Sequence, residues 1–330
     1  HHAVRQQAGV FDVSHMAVVD VGGQQARAFL SRLFANDIRT LRAPGTGLYT
    51  CMLNQVGGVI DDAIVYQVVP DQYRVVFNAG HFDRDWEWIN NHTHDFAVEL
   101  QHRTDLALLA VQGPMACERA SQALPNHLQA DALALKRFQC LHRDGWFIAR
   151  TGYTGEDGWE IVVPSNQVTE LWQTLVDNQI QPCGLGARDS LRLEAGFNLA
   201  GVDMDESVTP CESNLAWTIA WDDKEREFIG RSTLERRLVD GFDQCLIGLA
   251  LLQRGVLRAG QRVYLDDEII GEVTSGSFSP VLNCGIGFAR TREIAAGTRC
   301  AVEIRGKQLP AIVHEPPFVH RGRAKIKIPA

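Results

Sequence analysis

The chain beyond about residue 245 almost lacks helical periodicity, and no other feature of the sequence constrains the fold as strongly. Runs of strand-forming residues follow one another there, and they are separated by Gly, Asp and Asn: LIGLALL, RVYLD, EIIGEVTSG, CGIGFA and CAVEIRG. Short strands at this spacing are typical of a small antiparallel barrel or sandwich. We therefore predict that residues 245–327 form a C-terminal β-barrel domain.

The first 220 residues have a mixed pattern instead. Apolar residues between Ala26 and Phe34 recur at three- and four-residue spacing, which predicts a helix. Residues 49–53 and 59–68 are predicted to form two strands joined through a Gly-containing turn. Helices and strands that do not strictly alternate favour an α+β fold. The densely charged segment 221–244 has the composition of a solvated linker.

Charge and composition argue against several classes of function. The 330 residues carry 32 Lys and Arg against 40 Asp and Glu, a net charge of −8, so we expect no nucleic-acid partner. No apolar run approaches the ~20 residues that span a bilayer, so we expect no membrane partner. Eight scattered cysteines without a Cys-x-x-Cys pair favour reduced thiols and a cytoplasmic location. His92 and His94 have no supporting cysteine or carboxylate cluster, so we expect no metal site.

Two consecutive carboxylates, Asp61 and Asp62, follow Gly57 and Gly58 and precede a run of strong strand formers. Because successive side chains of a strand point to opposite faces, we expect one of the two to point inward. Burial among apolar residues would raise the pKa of that carboxylate, which suits it to proton transfer or to stabilising a developing cation. The alternative is that both are surface turn residues.

A second candidate site lies in GYTGEDGWE, which runs directly into an apolar strand. Glu160 is expected at the start of that strand, where a carboxylate can accept two parallel hydrogen bonds from a flat amidine-like edge. Arg188 and Arg192 lie four residues apart, so they share one face of a helix predicted to begin near Ala187. The alternative for the acidic stretch is a solvated loop.

Several strings along nearly the whole chain carry a family resemblance. They are FDVSHM (11–16), MLNQVGGVIDD (52–62), LAVQGP (109–114), GYTGEDGWE (152–160), GLGARDSLRLEAGFNL (184–199) and TSGSFSP (274–280). Together they resemble the glycine cleavage system T protein, a family of aminomethyltransferases. The resemblance implies a fold of three subdomains, arranged as a cloverleaf around a central folate site. Residues 1–220 would then form two interleaved α+β subdomains.

The resemblance also implies an activity. Members of the family take the aminomethyl group from the lipoyl arm of the H protein, release ammonia and give 5,10-methylenetetrahydrofolate. Tetrahydrofolate is therefore the implied co-substrate, and the lipoylated H protein is the implied partner. Family members carry a further N-terminal segment, so we interpret the start of this sequence, HHAVRQQAG, as truncated.

Residue roles follow from the same resemblance. Asp61 matches the catalytic carboxylate of the family, and Asp62 becomes a supporting residue. The implied folate-binding residues are Glu160, Arg188, Tyr49, Asn78, Tyr153, Trp217 and Arg321. The C-terminal contact follows a Phe-Val pair, which leaves His320 and Arg321 as alternatives.

Two other functions remain open from the sequence. A folate-dependent demethylase, or the folate domain of an amine oxidase, would share the Asp and Glu positions and differ mainly in its donor pocket. A non-catalytic folate-binding iron–sulfur assembly factor would carry a Lys-Gly-Cys-Tyr-x-Gly-Gln-Glu motif. This chain has GYTGEDGWE and no such string.

Overall fold

The computed structural model describes residues 1–327. Its α-helices are α1 His2–Gln6, α2 Ala26–Leu33, α3 Phe82–Asn91, α4 Ala116–Ser121, α5 Asn126–Ala134, α6 Val168–Asp177, α7 Leu185–Ala195 and α8 Arg231–Asp240. Its strands are β1 Gly9–Asp12, β2 Ala17–Gly22, β3 Thr46–Leu53, β4 Val59–Val69, β5 Gln72–Phe77, β6 Glu99–His102, β7 Leu106–Gln112, β8 Cys140–Arg143, β9 Trp146–Ala149, β10 Gly158–Pro164, β11 Gln181–Pro182, β12 Cys245–Leu251, β13 Arg262–Leu265, β14 Glu268–Ser279, β15 Cys284–Thr291, β16 Arg299–Ile304, β17 Lys307–His314, β18 Val319–His320 and β19 Arg323–Ala324. Short 3-10 helices span Ile38–Thr40, Cys211–Ser213 and Ala216–Thr218.

The first sheet is antiparallel, with the strand order β3-β4-β5-β2-β6. Helices α2 and α3 cover one of its faces through Phe29, Leu30 and Ile89, which pack with Ala63 and Val65 of β4. The helix predicted near residues 26–34 and the two strands joined by a Gly-containing turn are confirmed.

The second sheet has the order β11-β1-β7-β10-β9-β8. Strand β1 precedes the whole first sheet in the chain, yet it lies between β11 and β7 of the second sheet, parallel to β11 and antiparallel to β7. Helices α4, α5 and α6 pack on one face of this sheet through small and apolar side chains such as Ala120, Ala132 and Leu171.

The two sheets face each other across one apolar cluster. Val18, Tyr66 and Val76 of the first sheet pack there with Phe147 and Val162 of the second. At the end of this interface polar side chains replace the apolar ones. We call the space there, between Asp62 of the first sheet and Glu160 of the second, the inter-sheet cleft.

Strands β12 to β17 form a closed antiparallel barrel in the order β12-β15-β14-β13-β16-β17. Its interior is apolar and includes Leu249, Val263, Val273, Val302 and Val313. The predicted α+β class with a C-terminal antiparallel barrel is therefore confirmed.

Polar side chains of α7 and of the following loop join the barrel to the rest of the molecule. Glu194, fully buried, accepts hydrogen bonds from Ser279 of the barrel and from Arg5 of α1. Arg192 donates to Asp203 and to Ser275, both at 2.8 Å. Buried charges are stable only when they are paired, so these contacts fix the position of α7.

The segment 221–244 differs from the predicted solvated linker. It contains α8, and it buries Phe228, Leu234 and the guanidinium group of Arg226. Arg226 donates to the carbonyl oxygens of Ser31, Phe34 and Ala35 among others, at the C-terminal end of α2. These carbonyls have no partner within the helix, so a cation there both satisfies them and complements the helix dipole. Part of the charge of this segment is thus buried, where it binds backbone carbonyl oxygens.

We expect Arg226→Gln to lower the free energy of unfolding by about 3 kcal/mol, because several buried carbonyl oxygens lose their donor. Urea unfolding of the variant measures this loss. Arg236→Gln is the matched control, since Arg236 is exposed on α8. Equal stability of the two variants would contradict the role assigned to Arg226.

Candidate functional site

Asp61 and Asp62 lie side by side on β4 and point to opposite faces of the first sheet. Asp61 shares its face with Ala63 and Val65, which pack under α2 and α3, and its side chain is fully buried. Asp62 shares its face with Ile64 and Tyr66, which pack against the second sheet, and it is only partly buried. Asp62 therefore faces the inter-sheet cleft, and Asp61 faces the helices.

This geometry favours roles for the two aspartates that differ from those that the resemblance implied. The resemblance implied that Asp61 is catalytic and that Asp62 supports it. A side chain with no exposed surface cannot contact a ligand in this arrangement, whereas Asp62 hydrogen-bonds Tyr49 and lies near Tyr153. The parity of the strand places Asp62 with the other predicted site residues and Asp61 behind them.

Asn78 joins the two carboxylates. Strand β5 pairs with β4 as far as Phe77 opposite Ala63, so the next residue lies beside the aspartates. The Asn78 side-chain nitrogen Nδ2 donates to Oδ1 of Asp61 at 2.8 Å and to Oδ1 of Asp62 at 2.9 Å. Its backbone N–H donates to Oδ2 of Asp61 at 3.2 Å. One residue thus supplies donors to both carboxylates.

Burial and mutual repulsion raise the pKa of each carboxyl group in this cluster. Burial, and then the charge of Asp61, raise the pKa of Asp62 to about 7, although hydrogen bonds from Tyr49 and Asn78 oppose the shift. Burial and the charge of Asp85 raise the pKa of Asp61 well above its usual range. A carboxyl group that titrates near neutral pH is suited to exchange protons there.

Glu160 lies on the opposite wall of the cleft. It is in β10, between Ala110 of β7 and Ala149 of β9, and it shares a face with Val162, which packs towards the first sheet. Its Oε2 accepts a hydrogen bond from Thr151 at 2.7 Å. The side chain is 8% exposed, so this carboxylate is fixed and largely desolvated.

Arg188 and the aromatic side chains line the space between the two walls. The Arg188 guanidinium lies over the Tyr153 ring at 4.9 Å and near the sulfur of Met16 at 3.9 Å. Its Nη1 is buried without a hydrogen-bond partner among residues 1–327. Tyr49 stacks on Trp217 with ring centroids 5.5 Å apart, and Trp217 is 65% exposed. An unpartnered buried guanidinium nitrogen is suited to bind an acceptor atom of a ligand.

Arg321 lies apart from this group. It is exposed, in the turn between β18 and β19, and no contact joins it to Asp62, Glu160 or Arg188 among the described residues. The pKa of Asp157 is lowered mainly by its hydrogen bond to Arg150 and also by the charge of Arg321. His320, the alternative, is exposed as well.

A cavity of about 580 Å³ adjoins the cleft. It is lined partly by Met16, which contacts Arg188, and by Ala79, which follows Asn78. His15, His81 and His102 also line it. Its volume is typical of a small-molecule site. Among residues 1–327 no group of three or more His, Cys, Asp or Glu side chains is arranged to hold a metal ion.

The sequence analysis missed Asp85 as a member of this cluster. Asp85 lies in the first turn of α3, is fully buried and faces Asp61. The signal was present in the helical spacing, because Asp85 shares the apolar stripe of Phe82, Trp86 and Ile89. An acidic residue within an apolar stripe indicates a buried carboxylate rather than a solvated one.

The protein thus consists of an α+β unit followed by a closed β-barrel, and carboxylate and arginine side chains line its inter-sheet cleft. Known proteins with this combination of fold and site are the ones to compare with it. The GCVT N-terminal domain matches residues 1–223, and the glycine cleavage T-protein C-terminal barrel domain matches residues 244–320. The chain belongs to the glycine cleavage T-protein family, as the resemblance implied.

Two similar proteins of the family are both named aminomethyltransferase. The chain is 48% identical to an aminomethyltransferase of Nitrosococcus oceani over 98% of this chain and 87% of the relative. It is 49% identical to an aminomethyltransferase of Pseudomonas syringae pv. tomato over 99% of this chain and 90% of the relative. The crystal structure of glycine cleavage system aminomethyltransferase T from Bartonella henselae matches with a TM-score of 0.91 at 34% identity, covering 98% and 89% of the two chains.

We expect Asn78→Ala to destabilise the protein more at pH 8 than at pH 5. Asn78 donates to Asp61 and Asp62, and these bonds matter most when the carboxyl groups are ionised. Hydrogen bonds to charged groups contribute about 1.5–3 kcal/mol, so the loss at pH 8 is of that order. Denaturant unfolding at the two pH values measures the difference.

Asn91→Ala is the control for this experiment, because Asn91 is exposed at the end of α3. Its effect on stability is expected to be the same at both pH values. A pH-independent loss for Asn78→Ala as well would argue against ionised carboxylates at this position.

Proposed function

We propose that this chain is the aminomethyltransferase of a glycine cleavage system. It takes the one-carbon unit of an aminomethyl group carried on a partner protein, releases ammonia and transfers the carbon to tetrahydrofolate. The observation that carries this proposal is the identity of nearly half of all positions, over almost the full chain, to proteins named aminomethyltransferase. No feature of the cleft favours the demethylase or the assembly-factor alternative.

Asp62 is the residue to which we assign the central chemical role. Loss of ammonia from a sulfur-bound aminomethyl group leaves a cationic carbon, which a fixed carboxylate stabilises. As a folate nitrogen bonds to that carbon, its N–H bond breaks and the proton passes to a nearby base. Asp62 faces the cleft, and burial and the charge of Asp61 raise its pKa to about 7, so it can accept that proton near neutral pH.

The opposite wall fits a folate. A pterin presents a flat edge with two parallel N–H groups, and the nearly buried carboxylate of Glu160 is suited to accept both. The buried Nη1 of Arg188, which lacks a partner in the described part of the chain, can donate to an acceptor of the same ligand. Tyr49, Tyr153 and Trp217 offer aromatic surfaces for flat rings.

The remaining assignments are proposals of the same kind. The donor is the lipoyl arm of the H protein, which would enter through the cavity at Met16 and Ala79. Arg321 would contact the outer end of the folate only after a rearrangement of its turn. We propose an N-terminal unit of residues 1–220 and a barrel of residues 245–327, a division supported by the domain matches at 1–223 and 244–320; segment 221–244 between them is packed on the first unit rather than solvated. No helix in residues 1–327 has the length and apolar composition needed to cross a bilayer. We assign the enzyme to the cytoplasm because its cysteine pattern suits reduced thiols.

Asp62→Asn is expected to lower the rate of methylenetetrahydrofolate formation by about 10²–10⁴-fold, because the amide can neither accept the proton nor stabilise the cation by charge. The assay uses aminomethylated H protein and tetrahydrofolate, with folate binding measured separately by calorimetry. Binding is expected to persist.

Asp71→Asn is the control for that variant, because Asp71 is exposed in the turn between β4 and β5. Turnover of Asp62→Asn within a few-fold of the wild type would refute the catalytic assignment. Absence of folate-dependent activity in the wild type would refute the proposed function itself.

Glu160→Gln is expected to raise the KM for tetrahydrofolate by about 10–100-fold, since one charge-assisted pair of hydrogen bonds is lost. The change in kcat is expected to be smaller, because Glu160 is assigned to binding. Steady-state kinetics with varied folate measures both constants. Glu170→Gln on α6 is the matched control, because Glu170 is exposed; an unchanged KM in Glu160→Gln would place the pterin elsewhere.

A further inference from the structure

Asp85 is a buried acid without a donor of its own. Its side chain has no exposed surface, and neither carboxyl oxygen has a hydrogen-bond partner in residues 1–327. The nearest cation in its surroundings is Arg84, whose Nη2 lies 3.6 Å from Oδ1 and which also pairs with Glu206 at the surface. A fully buried carboxylate in such a place is costly unless it is neutralised.

The group opposite Asp85 is the carboxyl group of Asp61, within hydrogen-bonding reach. Two carboxylates face to face repel each other, but one proton between them turns the contact into a hydrogen bond. With that proton in place, one oxygen of Asp85 gains a hydrogen-bond partner, either as the donor or as the acceptor.

We propose that Asp61 and Asp85 share a single proton and act as a positioning pair, which maintains one negative charge behind Asp62. The inference rests on the proposed function, since it concerns the same reaction. Neither residue touches the substrate. Both act through Asp62, whose carboxyl group they hold next to a fixed charge.

The side chains around the pair stabilise a negative charge on either of the two carboxyl groups. Asn78 gives Asp61 two donors, which favours ionisation of Asp61, whereas Arg84 favours ionisation of Asp85. The proton therefore has two acceptable positions, and the pair titrates as one unit.

On the side of the cleft, Asp62 faces Tyr49 and Tyr153. The pKa of the Cys51 thiol on β3 is raised mainly by burial and also by the charges of Asp62 and Asp61. The cations on that side are Arg188, over the Tyr153 ring, and Arg192, both of which act on Tyr153, and Arg192 is paired with Asp203. Neither is among the groups that shift the pKa of Asp62, which is raised by burial and by the charge of Asp61.

A consequence for the reaction follows from this charge. The single negative charge of the pair keeps the pKa of Asp62 high enough for Asp62 to act as a base near neutral pH. When Asp62 takes the proton of the attacking folate nitrogen, the total charge of the three carboxyl groups falls from two to one. The carbon–sulfur bond then breaks, and Asp62 passes its proton to the leaving sulfur, which departs as the thiol of the lipoyl arm. The second folate nitrogen closes the methylene bridge, and its proton is taken up by the released ammonia, so the cluster returns to its starting state without any change in the shared proton.

The pH dependence of kcat/KM tests the proposal in two isosteric variants. Asp61→Asn removes the charge next to Asp62 and leaves only Asp85, which lies farther away beside Arg84, so the acidic limb of the profile should move to lower pH by about one unit. In Asp85→Asn the amide cannot share or lose a proton, and Asp61 keeps its charge. The pH profile of this variant should therefore keep its acidic limb. It should lose any alkaline limb that arises in the wild type when the pair loses its last proton. Glu87→Gln, exposed on α3, is the matched control and should keep the wild-type profile. Unchanged limbs in both variants would overturn the proposal, because a structural role alone would alter yield or stability and leave the limbs in place.

Stability and NMR provide readouts that do not depend on activity. The native pKa values of the pair are raised above those of the unfolded chain, and that of Asp85 is raised to about 6 by its burial. The native state then binds more protons than the unfolded state from about pH 4 to above pH 6, so stability falls as the pH rises through this range. Asp85→Asn should flatten that fall in thermal unfolding.

Carbon-13 NMR of aspartate carboxyl groups in the wild type should show a coupled pair that titrates in two steps. If Asp85→Asn fails to fold, this measurement still decides the question. Independent titration of both groups near pH 4 would overturn the shared proton. An inactive wild type with a coupled titration would reject the proposed function but keep the pair.

Discussion

Two consecutive aspartates in the middle of a sheet are the constraint on which the site depends. The side chains of a strand alternate, so Asp61 and Asp62 cannot both face the solvent or both face the cleft. One of them must enter the layer between sheet and helices, where an unpaired charge is costly. Asn78 at the end of β5 meets part of that requirement with two donors to Asp61, and the proton that we propose Asp61 shares with Asp85 on α3 meets the rest. The face of β4 that carries Asp62 is thus stabilised from its opposite face.

Most of the local structure could be predicted from the sequence because it depends on near neighbours along the chain. Alternating strand formers and turn residues define the barrel, and three- and four-residue spacing defines α2. Strand β17 is not among the predicted strands, and it contains Pro310, which cannot donate to a ladder. In the structure Pro310 lies just past the pairing of β17 with β12, and its carbonyl accepts from Leu252. A proline within a strand therefore costs no ladder hydrogen bond at a position where the partner strand on that side has already ended.

The assignments that depend on distant parts of the chain could not be made in the same way. Alternation predicts that one aspartate points inward, but which of Asp61 and Asp62 faces the cleft depends on where the second sheet packs. The sequence of β4 carries no information on that position. The same holds for segment 221–244, whose charged composition conceals Arg226 at the carbonyl oxygens of α2. The position of Glu160 near the start of a strand could be predicted because it depends only on the local sequence GYTGEDGWE.

The position of β1 has a consequence for the order in which the chain acquires structure during synthesis. Residues 9–12 leave the ribosome before the whole first sheet, yet their partners in β7 and β11 follow about a hundred and about a hundred and seventy residues later. The first sheet, whose strands lie within residues 17–102, can form from contiguous chain while β1 is still unpaired. Contacts of such large sequence separation form slowly because a long loop must close first. The segment GVFD, with buried Val10 and Phe11, therefore stays unpaired on the nascent chain at least until β7 has emerged, and one of its edges until β11 has emerged, so it is a stretch that a holding chaperone would usefully cover.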